Sequence, residues 1–388
     1  MKKDEKLKIL ITLRTNILLG AGTEKVAAYY AMYLPKDIWE VHIMMTDIMD
    51  HQRLDPSELE ESGVNNFYQI HSVENKFNFV KRMPKIGFAV FEALQYFITF
   101  LNKFINKETL NQMKQYDLAY HIYFLTPIIT FGKGDINIVS EHTLSARTKD
   151  SLTSTFAYCL HYLFMHNNDF LHALSHRTLG ERYAGLPVVT IGNGYDSRLF
   201  YPRPIKVPEL ITFAFLARLE PGKGLRTVLE AWKIARERGL RSSKLRIIGS
   251  GSLSSLLENF NDDSVIYHGN VPTPDLAEIL GSCDFFIYPS VADMFPQVVL
   301  EALGSGCHVL TTSYFKGIYD RENTKGFLEY LERDPEMFAD RIVGLKDEVN
   351  IYRKARFSQA DTIKDSYEWK KVVSRLSEFL LSAVRAKK

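Results

Sequence analysis

The chain has 388 residues, more than one hydrophobic core ordinarily holds, so about two domains of roughly 150 to 200 residues are expected. Lys and Arg total 48 against 46 for Asp and Glu, a formal charge of +2 without a long basic tract, which argues against dedicated nucleic-acid binding. With 46% hydrophobic and 24% charged residues, the composition is that of a soluble globular protein and not of a disordered one.

The opening Met1-Lys2-Lys3-Asp4-Glu5-Lys6 runs straight into Leu7 to Leu13, an apolar run of strand length. It has neither the longer apolar core nor the small-residue cleavage site of a signal peptide, so a cytoplasmic location is expected. Gly20-Ala21-Gly22-Thr23-Glu24 and the helical pattern KVAAYYAMYL follow. This is the β-loop-α opening of a parallel α/β domain.

Residues 75–115 depart from that rhythm. Ile86 to Leu101 is almost unbrokenly apolar, flanked by Lys76, Lys81, Arg82 and Lys85 before it and Lys103, Lys107 and Lys114 after it. It reads as a buried helix or helical hairpin, or as an element lying on a membrane surface. Glu92, near its middle, counts against a span. Further on, His121 after Asp117-Leu118-Ala119-Tyr120 and His142 after Val139-Ser140-Glu141 sit at strand ends, where glycines and histidines could meet a ligand. A histidine there also serves commonly as a structural hydrogen-bonding residue.

Strand-length runs at Val41 to Met45, Ile136 to Ser140, Val188 to Ile191, Leu245 to Ile248, Val265 to Tyr267, Phe285 to Tyr288 and His308 to Leu310 alternate with helical segments. The fold class is therefore α/β, with two doubly wound, Rossmann-like domains. Pro202, Pro204 and Pro208 deny a helix near residue 205 and suit a connector. The expected domains are 1–205, 206–365 and a closing helix, 366–388, whose Trp369, Val372, Val373, Leu376, Phe379, Leu380 and Val384 fall at helical spacing. The three cysteines, Cys159, Cys283 and Cys307, are far apart, with no CxxC pair and no zinc spacing. A reducing compartment and no structural metal are expected.

The second half repeats the opening grammar: the strand run Leu210 to Ala217, then Pro221-Gly222-Lys223-Gly224, then LRTVLEAWKIA. Arg218 and Lys223 lie across that turn and could aim two cations at one diphosphate. From Tyr288 to Gly306 a strand end, a loop and a helix that Pro296 can begin follow one another, with Asp293 and Glu301 bracketing the helix start. The N–H groups and positive dipole end of a helix seat an anion, and a carboxylate beyond can accept from vicinal sugar hydroxyls.

These stretches together resemble the retaining GT-B glycosyltransferases of family 4, the glycosyl transferases group 1. Their Arg-Leu and Lys-Gly pattern is matched by Arg218-Leu219-Glu220-Pro221-Gly222-Lys223-Gly224 and their Gly-x-Gly by Gly249-Ser250-Gly251. Their paired-acid signature, often reading EGFPNVLLEA, is matched by DMFPQVVLEA from Asp293 to Ala302. The linking Asn-Gly-x-Asp appears as Asn193-Gly194-Tyr195-Asp196, with Phe200-Tyr201-Pro202 after it, and the N-terminal Gly-rich loop as Gly20 to Glu24. Asp293 stands where the family usually has Glu, and Met294 where Gly is common.

The resemblance implies a GT-B fold, with two domains facing across a cleft and the last helix crossing back to the first. It implies transfer of a sugar from a nucleotide-diphosphate donor, UDP- or GDP-linked, to a hydroxyl of a glycan or lipid-linked acceptor, as in cell-surface polysaccharide or glycolipid synthesis. Arg218, Lys223, Glu301 and Asp293 would carry the chemistry. Gly249, Gly251, Val271, Met294, Phe295, Pro296 and Gln297 would hold the donor, and Gly20, Ala21, Gly22, Thr23, His121 and His142 the acceptor. Retention of configuration without an enzymic nucleophile is implied, and no metal or other cofactor is expected, since no Asp-x-Asp motif is present and two cations already face the leaving group. The competing expectation is a catalytically silent subunit that binds a glycan or a partner enzyme, which Asp293 in place of Glu favours.

Overall fold

The computed structural model describes residues 6–13, 22–45, 64–69, 100–122, 126–130, 132–140, 165, 168–175, 181–258, 260–319 and 324–387. Gly20, Ala21, His142, Cys159 and the apolar run from Ile86 to position 99 lie outside them. The chain divides into two compact units, Met1–Gly192 with Val373–Lys388, and Asn193–Val372.

The first unit is built on an eight-stranded sheet of order β3-β2-β1-β4-β5-β6-β8-β7. Its strands are β1 (Leu7–Leu13), β2 (Trp39–Met45), β3 (Asn66–Gln69), β4 (Tyr116–His121), β5 (Gly134–Ser140), β6 (Phe170–Ala173), β7 (Arg182–Tyr183) and β8 (Leu186–Thr190). All pairings are parallel except the β7–β8 hairpin. A parallel sheet is covered on both faces, which is why Ile9, Leu10 and Ile11 of β1 are apolar in succession instead of alternating. Helix α1 (Gly22–Tyr33) follows β1 and buries Val26, Ala27, Tyr30 and Ala31. The end of the chain belongs to this unit too. Trp39 Nε1 donates to Ser377 Oγ at 2.9 Å, and the rings of Phe170 and Phe379 meet edge to face at 5.5 Å.

The second unit has a six-stranded sheet of order β11-β10-β9-β12-β13-β14, all parallel. These strands are β9 (Ile211–Leu216), β10 (Ser243–Ile248), β11 (Val265–Gly269), β12 (Phe285–Tyr288), β13 (His308–Thr312) and β14 (Leu328–Leu331). Phe213, Phe215, Leu245, Ile247, Phe285 and Leu310 from the sheet pack with Trp232 of α2 (Leu225–Glu237) and with Phe338 and Ile342 from a long helix later in the chain. Helices α3 (Thr273–Gly281) and α4 (Gln297–Gly304) follow β11 and β12. Helix α5 (Pro335–Tyr367) starts with Pro335 in its first turn, and the Asp334 carboxylate accepts from Met337 N, two of the usual N-terminal devices. Arg353 of α5 forks onto the fully enclosed Asp284 at 2.6 and 2.9 Å, and Asp284 also accepts from the backbone and hydroxyl of Thr212. The starts of β9 and β12 are thereby pinned to α5, because removal of either partner would strand a buried charge.

The seam expected at 205/206 has a local explanation for its different place here. Asn193 to Phe200 is tied to the second unit by backbone bonds from Tyr195 N to Tyr367 O, 2.9 Å, and from Trp369 N to Tyr195 O, 3.1 Å. Gly194 is glycine of necessity, since a Cβ there would lie 2.8 Å from the Trp369 ring. The final helix, α6 (Trp369–Lys387), buries Val372, Val373, Leu376, Leu380 and Val384, the stripe its spacing called for. Among the described residues no helix is long and apolar enough to cross a membrane.

Candidate functional site

In the second unit the strand order reverses between β9 and β12, with β10 and β11 on one side and β13 and β14 on the other. Ligands of doubly wound sheets bind outside the carboxyl ends of the strands at such a switch point. Two loops leave those ends, residues 217–224 and 289–296. They lie against each other because glycine permits it. Gly224, at φ +96°, would place a Cβ 2.6 Å from the Pro289 ring and carbonyl. Val291 N also donates to the Gly222 carbonyl at 3.1 Å.

Between the two loops stands an ion pair. The ammonium of Lys223, a residue only 9% exposed, donates to Asp293 Oδ1. The other carboxylate oxygen of Asp293 accepts from the Tyr288 hydroxyl at 2.5 Å and from the Ser290 hydroxyl at 2.7 Å. Burial, and the Asp293 charge beside it, push the Tyr288 hydroxyl well above its ordinary pKa, so it remains a donor. Arg218 is exposed on the first of these loops. The sequence placed Lys223 and Asp293 in the site but missed Tyr288 and Ser290. The available signal was a hydroxyl and a phenol shortly before an acid in a strand-to-loop segment.

A third loop, after β10, supports the first. Gly249 has φ +112°, and a Cβ there would lie 1.9 Å from the Ala217 carbonyl oxygen. Gly251 would meet the Leu219 carbonyl at 2.6 Å. In their place run backbone bonds from Leu219 N to Ser250 O, 2.9 Å, and from Leu253 N to Leu219 O, 2.8 Å. Glu220 was also missed by the sequence reading. It accepts from Ser252 N at 3.1 Å and Ser252 Oγ at 2.5 Å, which lower its pKa, and so it braces two loops. Val271, half-buried, lies between β11 and α3.

The start of α4 is fixed from below. The Tyr319 hydroxyl donates to the Pro296 carbonyl at 2.7 Å, the Phe295 ring meets Tyr319 at 5.1 Å, and the Asn193 amide donates to the Phe295 carbonyl at 3.3 Å. Val299 N donates to the N-cap Pro296 carbonyl at 3.3 Å, and the first turn of α4 carries the positive end of its dipole. Met294 and Gln297 flank that turn, half-buried, and Glu301, 5% exposed, follows one turn on. Arg218, Lys223, Gly249, Gly251, Asp293 and Gln297 thus all stand at the carboxyl ends of β9, β10 and β12. Two hollows of the same unit, about 470 Å³ around Arg203, Arg246 and Glu278 and about 1090 Å³ around Lys233, Arg241 and Asp263, are lined by none of these residues.

In the first unit, Gly22 and Thr23 begin α1, with Thr23 Oγ1 donating to Glu24 at 3.1 Å. His121 ends β4 at 0% exposure. Its Nδ1 lies 2.9 Å from Thr12 Oγ1 and its Nε2 3.5 Å from Asn137 Oδ1, so both ring nitrogens face internal partners. His172 is equally enclosed.

Residues 211–348 match the protein family described as Glycosyl transferases group 1. A relative from Campylobacter jejuni, N-acetylgalactosamine-N,N'-diacetylbacillosaminyl-diphospho-undecaprenol 4-alpha-N-acetylgalactosaminyltransferase, is 25% identical over 173 residues. That match spans 43% of this chain and 45% of the relative, about half its length. Among solved structures, sucrose-phosphate synthase from Thermosynechococcus elongatus superposes with a TM-score of 0.72 at 13% identity, covering 98% of this chain and 100% of that one. HepE from Anabaena, in complex with UDP and glucose, gives 0.67 at 15% identity over 97% and 100% of the two chains. The lipopolysaccharide outer core galactosyltransferase WaaB gives 0.60 at 17% identity over 96% and 99%. The chain has the fold of the GT-B glycosyltransferases, and the resemblance carried by its motifs holds over residues 211–348.

Proposed function

We propose that this protein is a glycosyltransferase that moves a sugar from a nucleoside diphosphate donor to a hydroxyl acceptor. The observation that carries this reading is the Lys223–Asp293 pair, an almost enclosed ammonium held where the strand order reverses, within the residues that match a glycosyltransferase family. As the bond from the anomeric carbon to the diphosphate breaks, negative charge gathers on the leaving phosphate. Lys223 and the exposed Arg218 are the cations that would meet it. The first turn of α4 adds backbone donors to the same seat, and Glu301 accepts from the ribose hydroxyls. The loop of Gly249 and Gly251, with the backbone near Val271, holds the base, and Met294 to Gln297 line the sugar.

UDP-sugar is the donor of first choice, since the neighbour HepE was solved with UDP and glucose; a GDP-sugar is second. The acceptor is a glycan carried on a polyprenyl diphosphate, the class that the Campylobacter relative's name describes. It meets the first unit at the start of α1, near Gly22 and Thr23. Transfer retains configuration on one face of the sugar: the acceptor O–H bond breaks, its proton passes to the departing phosphate oxygen, and the new C–O bond forms where the old one was. This chain's residues position and stabilise charge in that step, and the two cations make a divalent metal unnecessary.

A lipid-linked acceptor brings the enzyme to a bilayer. Phe100, Phe104 and Ile105 are 47%, 61% and 57% exposed, with Lys107 and Lys114 exposed beyond them, and this is the element we assign to that contact.

A thermal-shift panel of UDP, GDP and ADP on the wild type and on Arg218→Ala tests the reading. A diphosphate at 100 times its Kd should add about 2.7 kcal/mol. A shift with one base that Arg218→Ala abolishes supports a transferase and names its donor. No shift with any of them removes the transferase reading and favours a silent subunit.

A further inference from the structure

Both carboxylate oxygens of Asp293 are occupied. One takes the Lys223 ammonium, and the other takes the hydroxyls of Tyr288 and Ser290 at 2.5 and 2.7 Å. These hydroxyls are themselves held rigidly. Tyr288 ends β12 at 3% exposure, with its ring 5.9 Å from Phe286 and from Phe315, and its carbonyl accepts from Thr311 Oγ1 at 2.8 Å. Ser290 is fully buried, its carbonyl accepts from Thr312 Oγ1 at 2.7 Å, and its own oxygen accepts from Ala292 N at 3.2 Å. Tyr288 and Ser290 are thus fastened to β13 by their carbonyls, and to the Asp293 carboxylate that takes Lys223 by their hydroxyls.

We propose that Tyr288 and Ser290 are positioning residues for the donor diphosphate: they anchor the Asp293 carboxylate, which in turn holds the Lys223 ammonium where the diphosphate binds. The proposal rests on the glycosyltransferase reading and deepens it. A lysine is a mobile point charge on a four-carbon stem, and an ammonium has three donors. One of them, given to a fixed carboxylate, orients the side chain and leaves two for phosphate oxygens. The departure from the family's acid then has a physical reason. An aspartate, one methylene shorter than a glutamate, reaches back to the strand-end hydroxyls. Asp293 is on this account the support of Lys223 and not a ligand of the transferred sugar.

The test is a double-mutant cycle on UDP affinity, measured by calorimetry on the full chain, with GDP as the probe if the panel selects it. Tyr288→Phe and Ser290→Ala remove the anchoring hydroxyls without changing the charge, and melting curves identify any variant that fails to fold. Expected are about tenfold weaker UDP binding for Tyr288→Phe in the wild-type background, and no further loss when the same change is made in Lys223→Met, because the phenol acts through the ammonium. Asp293→Glu, which keeps the charge and lengthens the arm, should also weaken UDP. Equal losses from Tyr288→Phe in both backgrounds, or unchanged UDP affinity in the wild-type background, would overturn the positioning role and leave the transferase reading standing. A wild type that binds no nucleoside diphosphate removes both.

Discussion

Two enclosed histidines of the first unit are tied into the fold by opposite ends of their rings. His172 donates from Nε2 to the Ile191 carbonyl at 2.7 Å, so its Nδ1 is the acceptor for the Tyr120 hydroxyl. That fixes one neutral tautomer. His121 faces Thr12 and Asn137 in the same manner. Burial pushes both rings down to about 4. In the unfolded chain they titrate near their ordinary value of about 6.5, so between there and about 4 the unfolded state binds more protons. Stability from these two groups is whole above about pH 6.5, falls as the pH drops through the window, and levels once the folded rings protonate near 4. Each histidine should cost about 2 kcal/mol by roughly pH 5. Urea denaturation at about pH 7.5 and about pH 5 measures it, with His172→Gln expected to reduce the difference. An unchanged midpoint in the wild type would mean that these rings are not kept neutral.

At the scale of elements, the loops of the candidate site keep their shape because certain positions lack a side chain. Gly249 combines φ +112° with a Cβ position 1.9 Å from the Ala217 oxygen, whereas Gly269, at φ +64°, has nothing within 4 Å. Gly269→Ala should therefore cost only the left-handed backbone term, about 1 kcal/mol. Gly249→Ala must also push the loop after β10 off the loop after β9, and should cost roughly 3 kcal/mol and most of the UDP affinity. Denaturant midpoints and calorimetry on the two variants check the contrast, and equal costs would refute it. Gly249 and Gly251 were picked out in the sequence by their match to the Gly-x-Gly of the resembling family, and the close backbone approach that needs them is seen in the structure. Strands β1, β9 and β12 were legible because burial on both faces leaves mostly apolar runs, and β2 was legible from Val41 to Met45 despite His42. β6 and β14 were not, since each has only four residues and His172 and Glu329 interrupt them. Those two side chains are satisfied internally, His172 by Tyr120 and Ile191, and Glu329 by His308 and Arg341. Such bonds depend on residues distant in the chain. The end of the first unit at Gly192 was hidden for the same reason, since Tyr195 is tied to Tyr367, whereas Tyr288 and Ser290 stand five and three residues before the acid they hold and were overlooked.

The molecule repeats one winding. Strand order β3-β2-β1-β4-β5-β6 in the first unit has its counterpart in β11-β10-β9-β12-β13-β14 of the second. At the reversal point of the second stand Lys223 and Asp293; at that of the first, Thr12, His121 and Thr126 form an enclosed set of neutral groups. Under the proposed function, anion chemistry would fall to the second unit, and the first would meet the acceptor and the surface that carries it. Helical residues 100–105 present Phe100 against Phe104, ring to ring at 5.1 Å, with Ile105 exposed beside them. Burying one such side chain fully is worth about 1.5 to 3 kcal/mol, and each cation near an anionic leaflet about 1 kcal/mol. Lys107 and Lys114, against Glu108, leave a small electrostatic share, so apolar insertion should dominate. The chain should then co-sediment with vesicles that are about one-third phosphatidylserine, and salt should loosen it only in part. Phe104→Glu with Ile105→Glu exchanges two inserting groups for two charges repelled by the same surface, and should reduce binding at least about tenfold while leaving the UDP thermal shift in place. Loss on adding salt with no effect of the double substitution would make the contact purely electrostatic. No sedimentation of the wild type at low salt would remove the membrane assignment and leave the donor site untouched.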